Sequence, residues 1–162
     1  MSNALYYTFS TIAQTLAGAM ALLAAFLLYR LQVLNRAIEE DAERISEALV
    51  PYHGRAHEMF RGQEYVELLR AAESGYFPQG NPPVQAERAR LTMFLRTKKT
   101  VLKHFKVALY LTAGLITFSI VALVATPQIS SVAVSYAILA FGVLGFVACM
   151  LSYITVLRSA FD

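Results

Sequence analysis

The first 29 residues carry no charged side chain, and most of them are apolar. A helix rises about 1.5 Å per residue, so about 20 apolar residues cross a hydrocarbon core of about 30 Å. Residues 5–29 are therefore predicted to form a first transmembrane helix. A second apolar block near the C-terminus is interrupted at ATPQISS, where Pro127 cannot continue a helix. This block predicts two further transmembrane helices, at 106–126 and 133–157.

Between the first two transmembrane helices, apolar and charged positions alternate with the spacing of amphipathic helices. Residues 30–50 continue the first helix, and residues 82–105 form a second long arm that leads back to the membrane. A short helix is predicted at about 63–73. Because each arm is joined to a transmembrane helix at one end, the two arms should run antiparallel. The predicted fold class is an all-α integral membrane protein with three transmembrane helices and an antiparallel helical cytoplasmic domain at 30–105.

The charges of the two arms predict how the arms pair. Matching opposite charges outward from the membrane places acidic residues 39–41 beside basic residues 96–99, and Glu47 beside Arg88 and Arg90. Exposed ion pairs each contribute only about 0–1 kcal/mol, so this pairing is weakly determined.

Composition and charge then predict the location and topology. Of the 162 residues, 57% are hydrophobic and 15% are charged, an imbalance that is uncommon in soluble domains. All Lys and Arg residues except Arg158 lie between Arg30 and Lys106. Lys and Arg are retained on the cytoplasmic side, so we expect the N-terminus outside and the C-terminus inside, in a membrane of the bacterial inner-membrane type. Anionic lipid headgroups or a partner are expected to contact four lysines, each worth about 1 kcal/mol near such a surface: Lys98, Lys99, Lys103 and Lys106.

Two faces of the first transmembrane helix differ in chemical character. An apolar stripe is predicted to face lipid and consists of Leu5, Phe9, Ile12, Leu16, Leu23 and Leu27. The opposite side, which we call the polar face, consists of Thr11, Gln14, Thr15, Gly18, Ala13, Ala17, Ala21 and Ala25. Small residues let helices approach closely, and Thr and Gln can hydrogen-bond across the contact. The polar face should therefore contact another helix or line water, either within this chain or between chains.

The sequence lacks the common signatures of enzymes and cofactor sites. It has no phosphate-binding glycine loop, no Gly-x-Ser-x-Gly, no His-Glu-x-x-His and no Cys-x-x-Cys. We therefore expect a non-enzymatic protein without catalytic residues or cofactors. His53 and His57 are weak metal candidates, because no third ligand lies near them in sequence, and no metal is expected. The weakest hypothesis is a membrane anchor that recognises a nucleotide or nucleic acid through the basic residues from Arg88 to Lys99. These cations have acidic partners within reach, and no series of aromatic side chains alternates with them to stack on bases. No nucleic acid is therefore expected.

Three transmembrane helices of one chain cannot easily enclose a solvent path, so a pore needs several copies. The expected function is a homo-oligomeric pore or channel-like assembly, with the first helix lining the axis and the cytoplasmic bundle acting as gate or sensor. The alternative is an accessory or scaffold subunit of a larger membrane complex. In that case a soluble cytoplasmic partner would dock on the Pro-rich tip at 78–83. Membrane lipids and further copies of the chain are the expected partners.

Overall fold

The computed structural model describes residues 2–73, 82–128 and 131–161, and every element in them is a helix. The helices are α1 (Ser2–Leu49), α2 (Ala56–Arg61), α3 (Tyr65–Glu73), α4 (Pro82–Ala125) and α5 (Val132–Phe161), and a 3₁₀ turn (Thr126–Gln128) follows α4. Three of them, α1, α4 and α5, are long and apolar enough to cross a membrane. The predictions of an all-α fold and of three membrane-crossing helices are confirmed.

The connection between α1 and α3 contains a helix that the sequence analysis does not predict. Pro51 follows the last turn of α1, and the amide of His53 donates a hydrogen bond back to the carbonyl of Leu49. The chain then forms α2, and Gln63 adopts a left-handed φ of 57° before α3 begins. Pro78 and Gly80, the centre of the predicted Pro-rich tip, lie outside the described residues.

The chain divides into two compact units. The terminal unit contains the chain up to Leu28 and from Thr100 onward, and the central unit is Tyr29–Lys99. The core of the terminal unit includes the complete apolar stripe of α1, together with residues of α4 and α5 such as Val101, Leu115, Cys149 and Val156. The prediction that this stripe faces lipid is therefore wrong. Lipid tails are as apolar as leucine, so apolar character alone does not distinguish a lipid contact from a helix contact.

Two glycines allow close packing inside the terminal unit. The ring of Phe9 on α1 lies against Gly142 on α5, and its edge meets Phe118 with ring centroids 5.8 Å apart. Leu115 on α4 lies against Gly145 on α5 in the same way. The glycines let these large side chains fill space that a Cβ atom would occupy, which allows the helices to approach closely.

The central unit is held by an apolar core with polar contacts around it. The core includes Ile38, Ala42, Ile45, Leu49, Ala56, Met59, Leu68, Ala71, Ala72 and Leu91. Lys98 donates a hydrogen bond to Asn35 at 2.7 Å, and Arg90 lies 3.8 Å from Asp41. The predicted partner of the acidic residues 39–41 was the run 96–99, so that charge matching is wrong by about six residues. The apolar core sets the register here, because exposed ion pairs are too weak to oppose it.

A second ion pair follows the same register. Arg44 on α1 lies 3.6 Å from Glu87 on α4, so the partner numbers on α4 fall as the numbers on α1 rise. Glu47, for which Arg88 and Arg90 were the predicted partners, makes no ion pair among the described residues. Arg88 instead pairs with Glu73 at the end of α3, at 2.8 Å.

Candidate functional site

The polar face of α1 points away from the rest of the terminal unit. Thr11, Gln14, Thr15, Ala17, Gly18, Ala21 and Ala25 are exposed, and Ala13 is half-buried. A Cβ placed on Gly18 would meet no other atom within 4 Å. The interpretation in which this face packs against the chain's own second and third transmembrane helices is therefore wrong. The surface is free for another molecule.

The exposed residues form a straight seam along α1. Tyr7, Thr11, Gln14, Gly18 and Ala21 are exposed, and their spacings alternate between four and three residues. Ala25 and Leu28 extend the same alternation. An alternation of this kind keeps one face of a helix directed at a partner that crosses it at a shallow angle. Tyr7, at the N-terminal end of the seam, is a member of the surface that the sequence analysis does not include.

The hydrogen-bonding state of the seam differs from that of the other membrane-crossing helices. The serine and threonine hydroxyls of α4 beyond Lys106, of the 3₁₀ turn and of α5 donate to a backbone carbonyl three or four residues earlier, and these residues are Thr112, Thr117, Ser119, Thr126, Ser135, Ser152, Thr155 and Ser159. Among the described residues, the side chains of Thr11, Gln14 and Thr15 form no hydrogen bond. An unpaired polar group in hydrocarbon is costly, by about 1–3 kcal/mol on protein scales. These three side chains therefore have hydrogen-bonding capacity that the described part of the chain does not use.

An open groove of about 380 Å³ lies beside the seam, between α1 and α5. Its α1 wall carries Tyr7, Thr8, Thr11, Ile12 and Thr15, and its α5 wall carries Phe146. Thr8 is absent from the predicted polar face, although its spacing of three and seven residues to Thr11 and Thr15 indicates the same side of the helix. The lining of the groove is mostly apolar, with the three threonines along one wall.

The four lysines predicted to contact lipid belong to two different units. Lys98 is half-buried in the central unit and donates to Asn35, whereas Lys99 is exposed there. Lys103 and Lys106 belong to the terminal unit, and both are exposed. The two pairs therefore have different surroundings.

The two histidines do not reach the arrangement that a metal needs. His53 lies before the first residue of α2, so the i, i+4 spacing does not place both rings on one helix face. The ring of His57 lies 6.4 Å from that of Phe60, centroid to centroid. In the described parts of the chain, no three His, Cys, Asp or Glu side chains come together as a metal site.

Comparison with known proteins gives no relative to argue from. No protein-family model, no curated protein and no solved structure matches this chain. Function must therefore follow from the chemistry of the exposed surfaces, of which the seam on α1 is the most unusual for a membrane-crossing helix.

Proposed function

We propose that this chain is a non-enzymatic protein of a bacterial-type inner membrane, and that it assembles with copies of itself through the polar face of α1 into a pore or channel-like structure. One observation carries the proposal. The face that is small and polar is turned outward, and the apolar stripe is turned inward. This is the reverse of what a helix surrounded only by lipid would need.

Self-association satisfies the polar face with groups that the chain itself provides. In a symmetric ring, Gln14 of one copy faces Gln14 or Thr11 of the next copy, and each can both donate and accept hydrogen bonds. Gly18 and the alanines that follow let the α1 helices approach closely on the remaining half of the seam. Interhelical hydrogen bonds of this kind contribute about 0.6–2 kcal/mol each in membranes.

A pore arises when the ring leaves a gap at its axis. Thr11, Gln14 and Thr15 would then present uncharged hydrogen-bonding groups to water at about the middle of the membrane. Such a lining is hydrophilic but carries no charge, so it resembles a path for small polar solutes or weakly selective ion flow. Because nearly all basic residues lie between the membrane-crossing parts of α1 and α4, we place the central unit in the cytoplasm as an antiparallel helical domain that gates or senses.

The test combines assembly and conductance, and it begins with native mass spectrometry of the full chain released from a mild detergent. We expect a discrete assembly of identical chains, and we expect Gly18→Leu to dissociate it. Gly114→Leu is the matched control, since a Cβ at Gly114 on α4 also meets open space. A wild-type monomer, or equal effects of the two variants, would contradict assembly through the polar face.

Conductance of the protein in liposomes tests the pore itself. Gln14→Leu should lower conductance severalfold, whereas Thr117→Val should not, because Thr117 is an exposed threonine whose hydroxyl is already bonded to the carbonyl of Ala113. If the assembly persists but no conductance appears, the pore is wrong. One copy bound to a different subunit would instead support the alternative function, an accessory or scaffold subunit that docks its polar face on a larger complex.

A further inference from the structure

A groove runs along the outside of the terminal unit between α4 and α5. Its volume is about 300 Å³, and its walls are almost entirely apolar. Gly114 and Gly145 line it, Tyr110 and Phe141 stand exposed along its edges, and Cys149 lies buried in its floor. The groove lies on α4 and α5, whereas the polar face lies on α1, so the two surfaces are separate.

The two helices that form the groove run antiparallel, and three contacts between them fix their register. Thr112 and Tyr153 hydrogen-bond at 2.6 Å, Leu115 packs on Gly145, and the rings of Phe118 and Phe141 lie 4.9 Å apart. The residue numbers on α5 fall as those on α4 rise. The pair nearest the lysines, Thr112 with Tyr153, places Arg158 of α5 opposite residue 107, beside Lys106 and about one turn from Lys103.

Cations without partners lie at this end of the groove. Lys103, Lys106 and Arg158 are exposed, and none of them forms an ion pair among the described residues. The part of the terminal unit that the structure describes contains no Asp or Glu. By contrast, Arg44, Arg55, Arg88 and Arg90 of the central unit all have carboxylate partners. The positive charge of the terminal unit is therefore left for an external anion.

The lysines and the groove share one face of α4. Lys103, Lys106, Tyr110 and Gly114 follow each other at spacings of three, four and four residues, which keeps them on one side of a helix. Long side chains on a helix lean toward its N-terminus, so the two ammonium groups extend away from the apolar groove toward the aqueous edge. From Tyr110 to Phe118 the groove extends about 12 Å along α4, which is less than one leaflet of a hydrocarbon core about 30 Å thick.

We infer that this surface is a binding site for one anionic phospholipid of the leaflet that meets Lys103. The phosphate lies between Lys103 and Lys106, with Arg158 at the same level, and one acyl chain lies in the groove over Gly114 and Gly145. A zwitterionic lipid of the same chain length fills the groove equally well but gains less from the cations. The site recognises the negative charge of the headgroup and one acyl chain at the same time. Lipid binding at this site does not depend on assembly through the polar face.

Lipid binding to the full chain, measured by native mass spectrometry, tests the inference with phosphatidylglycerol and phosphatidylcholine of identical acyl chains. We expect the wild type to bind phosphatidylglycerol more tightly. Replacing Lys103 and Lys106 by Gln should weaken that binding about 25-fold, since each basic side chain near an anionic surface contributes a factor of about five. Phosphatidylcholine binding should not change. The matched control replaces Lys98 and Lys99 by Gln, removes the same charge from the central unit, and should leave both affinities unchanged.

A second variant tests the groove separately from the charge. Gly114→Leu places a side chain in the groove from a position where its Cβ meets no other atom within 4 Å, so folding should be retained. We expect it to weaken the binding of both lipids severalfold, whereas Gly54→Leu, in the central unit and also at a position where an added Cβ meets no atom within 4 Å, should weaken the binding of neither. Equal binding of the two lipids by the wild type would overturn the inference. So would equal losses from the two lysine pairs, or unchanged binding in Gly114→Leu.

Bromine-labelled acyl chains locate the bound lipid. The sequence contains no tryptophan, so Tyr110→Trp introduces a single fluorophore at the edge of the groove. Brominated phosphatidylglycerol at a few per cent of a phosphatidylcholine bilayer should quench it more than it quenches Tyr136→Trp, which is an exposed position near the opposite end of α5. Equal quenching at the two positions would show random contact with lipid and would also overturn the site.

Discussion

Tyr153 donates a hydrogen bond to Thr112 inside the terminal unit, with their oxygens 2.6 Å apart. The direction follows from counting protons. The hydroxyl of Thr112 has one proton and donates it to the carbonyl of Ala108 at 2.7 Å, so the shared proton between the two hydroxyls comes from Tyr153. The pair thus joins α5 to α4 through a chain of two bonds that ends on the backbone.

This direction predicts unequal effects of removing either partner. Tyr153→Phe leaves Thr112 bonded to Ala108 and should cost about 0.6 kcal/mol, the average for such bonds in membranes. Thr112→Val leaves the buried phenol of Tyr153 without an acceptor and should cost about 1–3 kcal/mol. Unfolding of the full chain in mixed micelles of increasing denaturing detergent measures both variants. Equal costs would mean that the proton direction is reversed or that water replaces the lost partner.

The contact of Phe9 with Gly142 predicts that one added methyl group destabilises the terminal unit. A Cβ at residue 142 would lie 2.8 Å from Cζ of Phe9, so the ring must move. Overpacking of this kind costs about 1–3 kcal/mol, and we expect that loss for Gly142→Ala in the same unfolding measurement. Gly18→Ala is the control and should cost nothing, because its Cβ meets open space. Shortening the ring by Phe9→Leu should recover part of the loss, and an additive double variant would argue against the contact.

The ion pairs of the central unit predict that the burial of a pair determines its contribution to stability more than the distance between its charges does. Asp41 and Arg90 lie 3.8 Å apart, yet the Asp41 side chain is only 8% exposed and its Oδ2 accepts no hydrogen bond among the described residues. Arg88 and Glu73 are closer, at 2.8 Å, but both are well exposed. Arg90→Gln removes the nearest cation from a buried carboxylate and should destabilise the central unit by about 1–3 kcal/mol. Arg88→Gln should cost about 0–1 kcal/mol.

Amide hydrogen exchange of the full chain provides the readout for these two variants. Exchange reports local opening, and the buried turns of α1 around Ile38 and Ile45 are the relevant probes. Arg90→Gln should accelerate their exchange by about 5-fold to 150-fold, which corresponds to the cost given above. If Arg88→Gln accelerates the exchange of these amides more than Arg90→Gln does, the shorter pair of Arg88 with Glu73 stabilises the unit more than the buried pair of Arg90 with Asp41.

The sequence predicts the three membrane-crossing helices because length and apolar composition are nearly sufficient for that purpose. It also separates the two faces of α1, since both recur with helical spacing. It does not predict which face is inward. In water Leu16 and Phe9 would be buried, but in a membrane they can contact lipid or helices at similar cost. A small residue on a neighbouring helix favours the helix contact, as Gly142 on α5 does for Phe9.

The register of the central unit shows a related limit. Charge matching pairs acidic residues 39–41 with basic residues 96–99, whereas the structure pairs Asp41 with Arg90. The apolar contacts of Ile45 and Leu91 fix the register, and charges then form the pairs that this register allows. A pattern of charges read along two helices therefore predicts that they attract each other but not how far one slides along the other. The α4–α5 groove was not predicted for the same reason, since it depends on which side chains of α4 meet Gly145.

Tyr65 predicts a loss of stability at high pH. Burial raises the pKa of its phenol above the usual value of 10.0, and the charge of Glu39 raises it further. The folded chain therefore keeps this proton at a pH where the unfolded chain has lost it. The stabilisation is complete below about pH 10 and is lost as the pH rises through the pKa of the folded state. We expect Tyr65→Phe to flatten the decline of the unfolding free energy in that range.

Ultraviolet difference titration isolates this phenol from the other tyrosines of the chain. The spectrum of the wild type minus that of Tyr65→Phe should titrate with a midpoint above 10, because only the phenol of residue 65 remains in the difference. Glu39→Gln should lower that midpoint without bringing it below 10, since burial is the larger of the two causes. A midpoint at or below 10 in the folded chain would mean that water reaches the ring of Tyr65, and that this ring does not pack against the apolar core of the central unit.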